Sequence, residues 1–250
     1  MRFKQIVRFN WPFYAMATLV TAAAPLLISR LPALWWVRVP AYAGFGLVAM
    51  WLVSSLAASW IVYDRSRLMA WDWVLQALGF NPRSYINIHA GHDESSEALG
   101  RIFAESRGRV FDIFAPAEMT EPSIARARLR SLRELRRGKP APEHVDYRHL
   151  PVPTGTIDAA MLLLSAHELR SDAARGALFT ELRRVLGPGG RVVVAEHLRD
   201  WANFLAYGPG FLHFHSRRTW VRCFTRHRFD VHAEFSITPF VRIFVLRRLT

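Results

Sequence analysis

The stretch from Leu150 to His197, "LPVPTGTIDAAMLLLSAHELRSDAARGALFTELRRVLGPGGRVVVAEH", decides how the rest of the chain is read. Within it, "IDAAMLLL" and "RVVVAE" are short apolar runs bounded by turn residues and read as strands. Between them, Asp172 to Leu186 has the periodicity of a helix. Gly187, Pro188, Gly189 and Gly190 then stop that helix and turn the chain directly into a buried strand, which requires backbone freedom and a break in helix propagation. Strand, helix and strand in this order make one crossover unit of a parallel sheet.

The same alternation extends outward from this unit. "SYINI", "RVFDIF" and "HVDYRHL" read as strands, with helical stretches at Glu94 to Glu105 and Pro122 to Arg137. After the fifth strand come a loop, a helix near Arg217 to Arg226, and two β-like runs, "VHAEFSI" and "VRIFVLR". No long crossover separates these two, so they are expected to pair antiparallel. In an open α/β sheet the ligand lies beyond the carboxyl ends of the strands. "YINIHAGHDESS", Tyr85 to Ser96, occupies the first such end, and Asp93, Glu94, Ser95 and Ser96 are cap or first-turn residues ahead of Leu99, Ile102 and Phe103.

The "LP" pair at Leu150 and Pro151, the strand with Asp158, the "E-x-x-R-V-L-x-P-G-G" run from Glu181 to Gly190 and the strand ending at Glu196 resemble the second half of a class I S-adenosylmethionine-dependent methyltransferase. The nearest kind is the small-molecule type related to the quinone methyltransferases. The resemblance covers roughly Arg83 to Arg248. It implies an α/β, Rossmann-like seven-stranded methyltransferase fold with S-adenosylmethionine as cofactor.

Cofactor contacts follow from the resemblance strand by strand. The family's first strand ends in an acid followed by a G-x-G-x-G loop; here the positions read Asn87, Ile88, His89, Ala90, Gly91, His92 and Asp93, and of the glycines Gly91 remains. Asn87 is expected to hydrogen-bond where a carboxylate usually does, His89 and Gly91 to line the loop, and Asp93 or Glu94 to meet the amino group. Asp112 corresponds to the acid that accepts the ribose hydroxyls, Asp146 to the residue that accepts from the adenine amino group, and Tyr147 lies beside the ring. Ser165, Ala166 and His167 fall beside the sulfonium and the acceptor.

Methyl transfer asks mostly for alignment of donor and acceptor and exclusion of water. A base is needed only where the acceptor carries a proton, and histidine titrates in the right range. His167 is the first candidate, then His197 with Glu196; Glu168, Asp200, Asn203, His213 and His215 stand nearby. His213-x-His215 with Glu196, His197 or Asp200 has suitable ligand chemistry for a divalent ion. Its spacing matches no defined metal motif, so no metal is expected. The loop Trp201 to Phe214 is rich in aromatics and reads either as the wall of an apolar acceptor pocket or as packing on a membrane-facing side.

Before this domain lie two stretches without a charged residue, between Arg8 and Arg30 and between Arg38 and Asp64. Each exceeds the about 20 apolar residues that cross a bilayer as a helix. Trp11, Trp35, Trp36, Trp60 and Tyr63 sit near their ends, where amphipathic rings favour the headgroups. Residues 1–64 therefore read as a two-span hairpin, 65–82 as an interfacial amphipathic helix or linker, and 83–250 as the methyltransferase-like domain. Arg2, Lys4 and Arg8 before the first span, and Arg65 and Arg67 after the second, put both ends inside.

The 33 Lys and Arg residues against 20 Asp and Glu give a formal charge of +13, which calls for an anionic partner. Arg126, Arg130, Arg133 and Arg137 make one basic helical face. No nucleic-acid module is recognisable, so anionic lipid is the nearer counter-charge. The single cysteine, Cys223, excludes an internal disulfide and fits a reducing cytoplasm. The expectation is an enzyme of the inner, cytoplasmic membrane, its domain facing the cytoplasm and its acceptor lipophilic. The alternatives are a non-catalytic membrane adaptor with a decayed cofactor loop and a cofactor- or metal-binding enzyme of another reaction type.

Overall fold

The alternation of strand and helix closes into one sheet. The computed structural model describes residues 3–32, 34–120, 124–129 and 142–249. Its strands are β1 (Ser84–His89), β2 (Arg107–Asp112), β3 (Glu143–His144), β4 (Ile157–Leu163), β5 (Leu186–His197), β6 (Phe229–Thr238) and β7 (Val241–Arg248). Among the described residues the sheet has seven strands in the order β3-β2-β1-β4-β5-β7-β6. The first five run parallel, and β7 pairs antiparallel with both β5 and β6, as the short connection between the last two requires. The order reverses between β1 and β4, so the carboxyl ends of these two strands flank the switch point where such sheets hold ligands.

The third strand is shorter than the sequence suggests. "HVDYRHL" pairs at His144 but turns at Asp146, whose carboxylate accepts from the Arg148 N–H at 2.9 Å and whose carbonyl accepts from the His149 N–H at 3.0 Å.

The signature run has a direct mechanical meaning. Helix α5 (Asp172–Val185) is started by Ser171, whose hydroxyl accepts from the Ala174 N–H, and passes into β5 at Leu186 without a loop. On its last turns Glu181 accepts from the Leu150 N–H at 3.0 Å, while Arg184 pairs with the same carboxylate at 2.7 Å and donates to the carbonyls of Leu150 and Val152, both at 2.9 Å. The "E-x-x-R" half thus clamps the "LP" loop that feeds β4. The "P-G-G" half permits close approach: a Cβ at Gly187 would lie 2.9 Å from the Gly155 carbonyl oxygen, and one at Gly190 would lie 3.0 Å from that of Ile157.

Each face of the sheet is covered. Ile86, Phe111, Leu162 and Val194 pack with Leu178 and Phe179 of α5 on one side, joined by Trp220 and Phe224 of α7 (Arg217–Arg226). On the other, Tyr85, Met161 and Ile243 meet Leu99 and Phe103 around helix α4 (Ser96–Ile102). Residues 65–82, expected as an interfacial amphipathic helix or linker, join that second face. They form a 3-10 turn, Leu68–Ala70, and helix α3, Trp73–Leu78, with Leu68, Trp71, Val74 and Leu78 buried in the core. Their apolar side is therefore turned to the domain.

Ahead of this come α1 (Phe3–Ser29) and α2 (Trp35–Trp60), which pack against each other, and a π-helical turn, Ile61–Arg65. Only 11% and 17% of their most apolar windows are buried, so they are not core helices. Trp11, Phe13, Leu19, Trp35, Val39 and Val53 are all exposed. Of the expected basic helix, residues 124–129 are helical, whereas Arg130, Arg133 and Arg137 lie outside the described residues.

Because the Gly187 contact is with backbone, it cannot be relieved by a rotamer change. Gly187→Ala is expected to cost about 2 kcal/mol and lower the melting temperature by about 4 to 8 °C. A wild-type melting curve for the detergent-solubilised variant would show that the two strands can part there.

Candidate active site

At the tips of β1 and β2 the chain builds a turn around one buried carboxylate. Asp112, the last residue of β2, stands opposite His89, the last of β1. Its Oδ1 accepts from the N–H groups of Gly91 at 2.8 Å and Phe114 at 3.0 Å, and its Oδ2 pairs with Arg128 at 2.6 Å. Burial would raise this carboxyl, but the Gly91 N–H, the neighbouring His89 and the Arg128 guanidinium outweigh it and hold it below the usual range. Gly91 has φ +75°, a conformation that other residues adopt only with strain. Above it, a Cβ would lie 3.2 Å from Phe114 and 3.3 Å from Ile124, and Arg128 sits over the Phe114 ring at 4.4 Å. Residues 124–129 therefore close this crevice over Asp112.

Most of the other residues expected here also make contacts within the fold. Asn87 donates through its amide to Ser95 Oγ at 2.9 Å and Ser96 Oγ at 2.7 Å, bracing the start of α4. Asp93 caps the same helix, accepting from the N–H groups of Ser95 and Ser96. His89 is buried, and burial lowers its pKa despite Asp93 and Asp112. Both of its ring nitrogens and the Asn87 Oδ1 are buried without a hydrogen-bond partner. Asp146 is half exposed and holds the turn after β3. Tyr147 is a core residue: its hydroxyl donates to Glu118 at 2.6 Å and Arg148 lies 4.3 Å over its ring. Ser165 donates to the Ile88 carbonyl at 2.8 Å, tying the end of β4 to β1.

The second cluster lies at the tips of β4 and β5. Glu196 is fully buried; its Oε1 accepts from the N–H groups of Ala166 and His167, and its Oε2 meets His167 Nδ1 at 2.6 Å. On the other side of the ring, His167 Nε2 stands 3.4 Å from Glu168 Oε1. Burial would lower the His167 pKa, yet the charges of Glu196 and Glu168 hold it well above its ordinary value. The charged form of the ring is thus favoured, which opposes the proton-accepting role expected of it. The Glu168 carboxyl is held low against burial, chiefly by His167 and further by His213 and Arg170. The His213 ring completes the group, edge-on to His167 with centroids 5.5 Å apart.

His197 and His215 do not join this cluster. His197 Nδ1 lies 2.9 Å from the Phe240 carbonyl and its ring stacks on Phe214. Burial, aided by His167, lowers its pKa to about 4. His215 Nε2 lies 2.7 Å from an Arg175 nitrogen, and its pKa is lowered to about 3, by burial and then Arg175. The pairing of His213 with His215 considered from the sequence is not formed. Arg128 reaches the first cluster from a separate segment, which no local motif signals. A cavity of about 300 Å³ walled by Phe80, Arg83, Asp158 and Gly189 lies at the opposite, amino ends of β1 and β4. There the Asp158 carboxylate is taken up by the N–H groups of Arg83 and Ser84.

Residues 102–194 match the family described as Methyltransferase domain. Among solved structures, the chain is similar to a SAM-dependent methyltransferase from Aquifex aeolicus, at 16% identity and a TM-score of 0.54 over 73% of this chain and 93% of that one. It is also similar to the pyocyanin biosynthetic protein PhzM, at 20% identity and a TM-score of 0.56 over 98% and 72%. A third is a geranyl diphosphate C-methyltransferase from Streptomyces coelicolor A3(2), at 18% and 0.50 over 71% and 78%. No curated protein sequence matches the chain. The matched domain and the fold around it are those of methyltransferases, and they support an enzyme whose cofactor is S-adenosylmethionine.

The residues at the β1 and β2 tips fit that cofactor with one condition. Asp112 offers a carboxylate at the strand end expected to meet the ribose hydroxyls, and the Asn87 Oδ1 and both His89 nitrogens nearby are without partners. Arg128 pairs with that carboxylate and would have to release it to a ligand. Asp112→Asn is expected to weaken binding of S-adenosylhomocysteine at least tenfold. Arg128→Ala, by freeing Asp112 of a part-exposed pair worth about 1 kcal/mol, is expected to tighten it about fivefold. Calorimetry on the solubilised protein measures both, and equal affinity in all three proteins would remove Asp112 from the site.

A pH effect follows from His197. Its folded pKa lies below the unfolded value, so the native state excludes a proton; its contribution is complete above about pH 6.5. It declines as the pH falls toward about 4. The melting temperature difference between wild type and His197→Gln should therefore shrink between pH 7.5 and 4.5; a constant difference would contradict the buried neutral ring.

Proposed function

We propose that the protein is a membrane-anchored S-adenosylmethionine-dependent methyltransferase acting on a lipophilic small molecule of the bilayer. The observation that carries the anchor is the outward apolar surface of α1 and α2. Exposed to water, such surface costs about 25 cal/mol per Å². Lipid removes that cost. The basic residues Arg2, Lys4, Arg8, Arg65 and Arg67 support an orientation with both ends, and hence the domain, on the cytoplasmic face of the inner membrane.

The lipophilic acceptor is supported by how the second cluster connects to α2. Helix α6 (Trp201–Tyr207) and the 3-10 turn Gly208–His213 pack on it: Trp51 meets Phe204 at 5.5 Å, and a Cβ on Gly208 would lie 2.5 Å from the Trp51 ring. The same segment exposes Trp201, Leu205 and Leu212, and it ends at His213 beside His167. An apolar molecule in the bilayer would thus meet an apolar path to the cluster, at an effective concentration raised by confinement to the membrane.

When bound, the cofactor supplies an electrophilic methyl group on a positively charged sulfur. Asp112 would hold its ribose hydroxyls and the loop at Gly91 would pass close to it. Glu196 fixes the His167 ring toward the acceptor side, and Phe204, Tyr207, Phe211 and Phe214 shield that side from water.

Mass spectrometry of membrane extracts from cells with and without the protein tests this reading. A lipid-soluble compound heavier by one methyl is expected with the wild type and at least tenfold less of it with Asp112→Asn. A methylated product found only in the soluble fraction would overturn the acceptor class, and failure to bind S-adenosylhomocysteine would favour an adaptor.

A further inference from the structure

We propose that His167, Glu168 and His213 bind a divalent metal ion, with Glu196 as the positioning residue for His167. Each of the three offers one ligand atom, and these atoms all lie within 4.8 Å of one another. Bonds of about 2.1 Å to a common ion would bring them to about 3 to 3.5 Å, so side-chain shifts of about an ångström close the site. Two imidazoles and a carboxylate on one side of an ion leave further positions open, as in sites that admit water or substrate.

The surroundings are those of a ligand set. His167 Nδ1 is 2.6 Å from the buried Glu196 carboxylate, which directs Nε2 toward Glu168 and His213; a carboxylate behind a ligating histidine is the usual outer support of such sites. Glu168 Oε2 is buried and without a hydrogen-bond partner, leaving acceptor capacity that an ion would use. The two ligand-bearing segments come from distant parts of the chain, the turn Ala166–Glu168 after β4 and the end of the turn Gly208–His213. Arg170 ties them together by donating to the carbonyls of both His167 and His213. In a pocket this dry, two carboxylates call for compensating positive charge, which a dication would supply.

Nitrogen and oxygen ligands in this ratio favour borderline first-row ions such as zinc, cobalt, manganese or ferrous iron over calcium or magnesium. The inference stands apart from the methyl-transfer reading. A protein that binds S-adenosylhomocysteine but no metal would defeat the inference alone, and the reverse would defeat the reading alone.

The test uses the full chain, solubilised in detergent, purified without a histidine tag and stripped with a chelator. Titration with cobalt(II) is expected to give visible ligand-field bands that saturate at one equivalent, and calorimetry with zinc the same stoichiometry. His213→Ala and Glu168→Gln should each weaken binding at least tenfold, and Glu196→Gln by 10- to 100-fold. Copper(II)-loaded wild type provides a readout that needs no variant: hyperfine couplings from two imidazoles are expected in its paramagnetic resonance spectrum. Fewer than two imidazole couplings, no saturable cobalt band, or a band unchanged in the variants would overturn the proposal.

Discussion

The carboxylate of Glu196 is the constraint on which the acceptor end of the sheet depends. A buried charge is costly unless its acceptor positions are filled, and here two backbone N–H groups and an imidazole fill them. The backbone bonds fold the chain after β4 into a tight turn, and the imidazole bond aims His167 back across that turn. Asp112 uses the same device at the tips of β1 and β2, gathering the N–H groups of Gly91 and Phe114. The two carboxylates differ in their third donor. For Glu196 it is the histidine of the turn it builds; for Asp112 it is Arg128, on a separate segment.

The N-terminal helices act on the domain through one contact surface. Gly208, at φ +54°, lets the chain pass directly against the Trp51 ring. There Phe204 meets both Trp51 and Phe211, and in the same segment Tyr207 and Phe214 pack around the His197 ring. The loop that carries His213 is therefore positioned from two directions, by α2 on one side and by Arg170 on the other. A shift of the helices would move a residue of the cluster without touching the sheet.

What the sequence disclosed was what neighbours along the chain determine. The apolar runs, the helix caps and the "P-G-G" turn are local, and so are the two antiparallel strands at the end. Asp112 stands at a strand end, which periodicity locates. Elsewhere short-range partners take up side chains that the sequence offers to a ligand. Asp93 caps α4 because Ser95 and Ser96 lie two and three residues away, and Asp146 bends its strand by the same Asx geometry. His197 resembled His167 in sequence context but points into Phe240 and Phe214. Glu168 and His213 could not be paired, because their meeting depends on where α6 packs, and nothing local encodes that.

The glycine-poor first loop has its own logic. Of the residues in "NIHAGHD", only Gly91 takes a positive φ, so the turn itself needs one glycine. The positions of His89 and Asp93, where the resemblance expects glycines, have ordinary negative φ and need none for the backbone path. Replacing one with His89 fills that position with an imidazole 3.8 Å from Asp112, whose two nitrogens lack partners. Burial keeps this ring neutral against the pull of two nearby carboxylates, so it presents one donor and one acceptor to whatever enters. A ligand that satisfied both would recover the desolvation cost that the empty ring now bears, about 1 to 3 kcal/mol per group. The substitution therefore narrows the loop to ligands with polar atoms at that point; it does not by itself abolish binding.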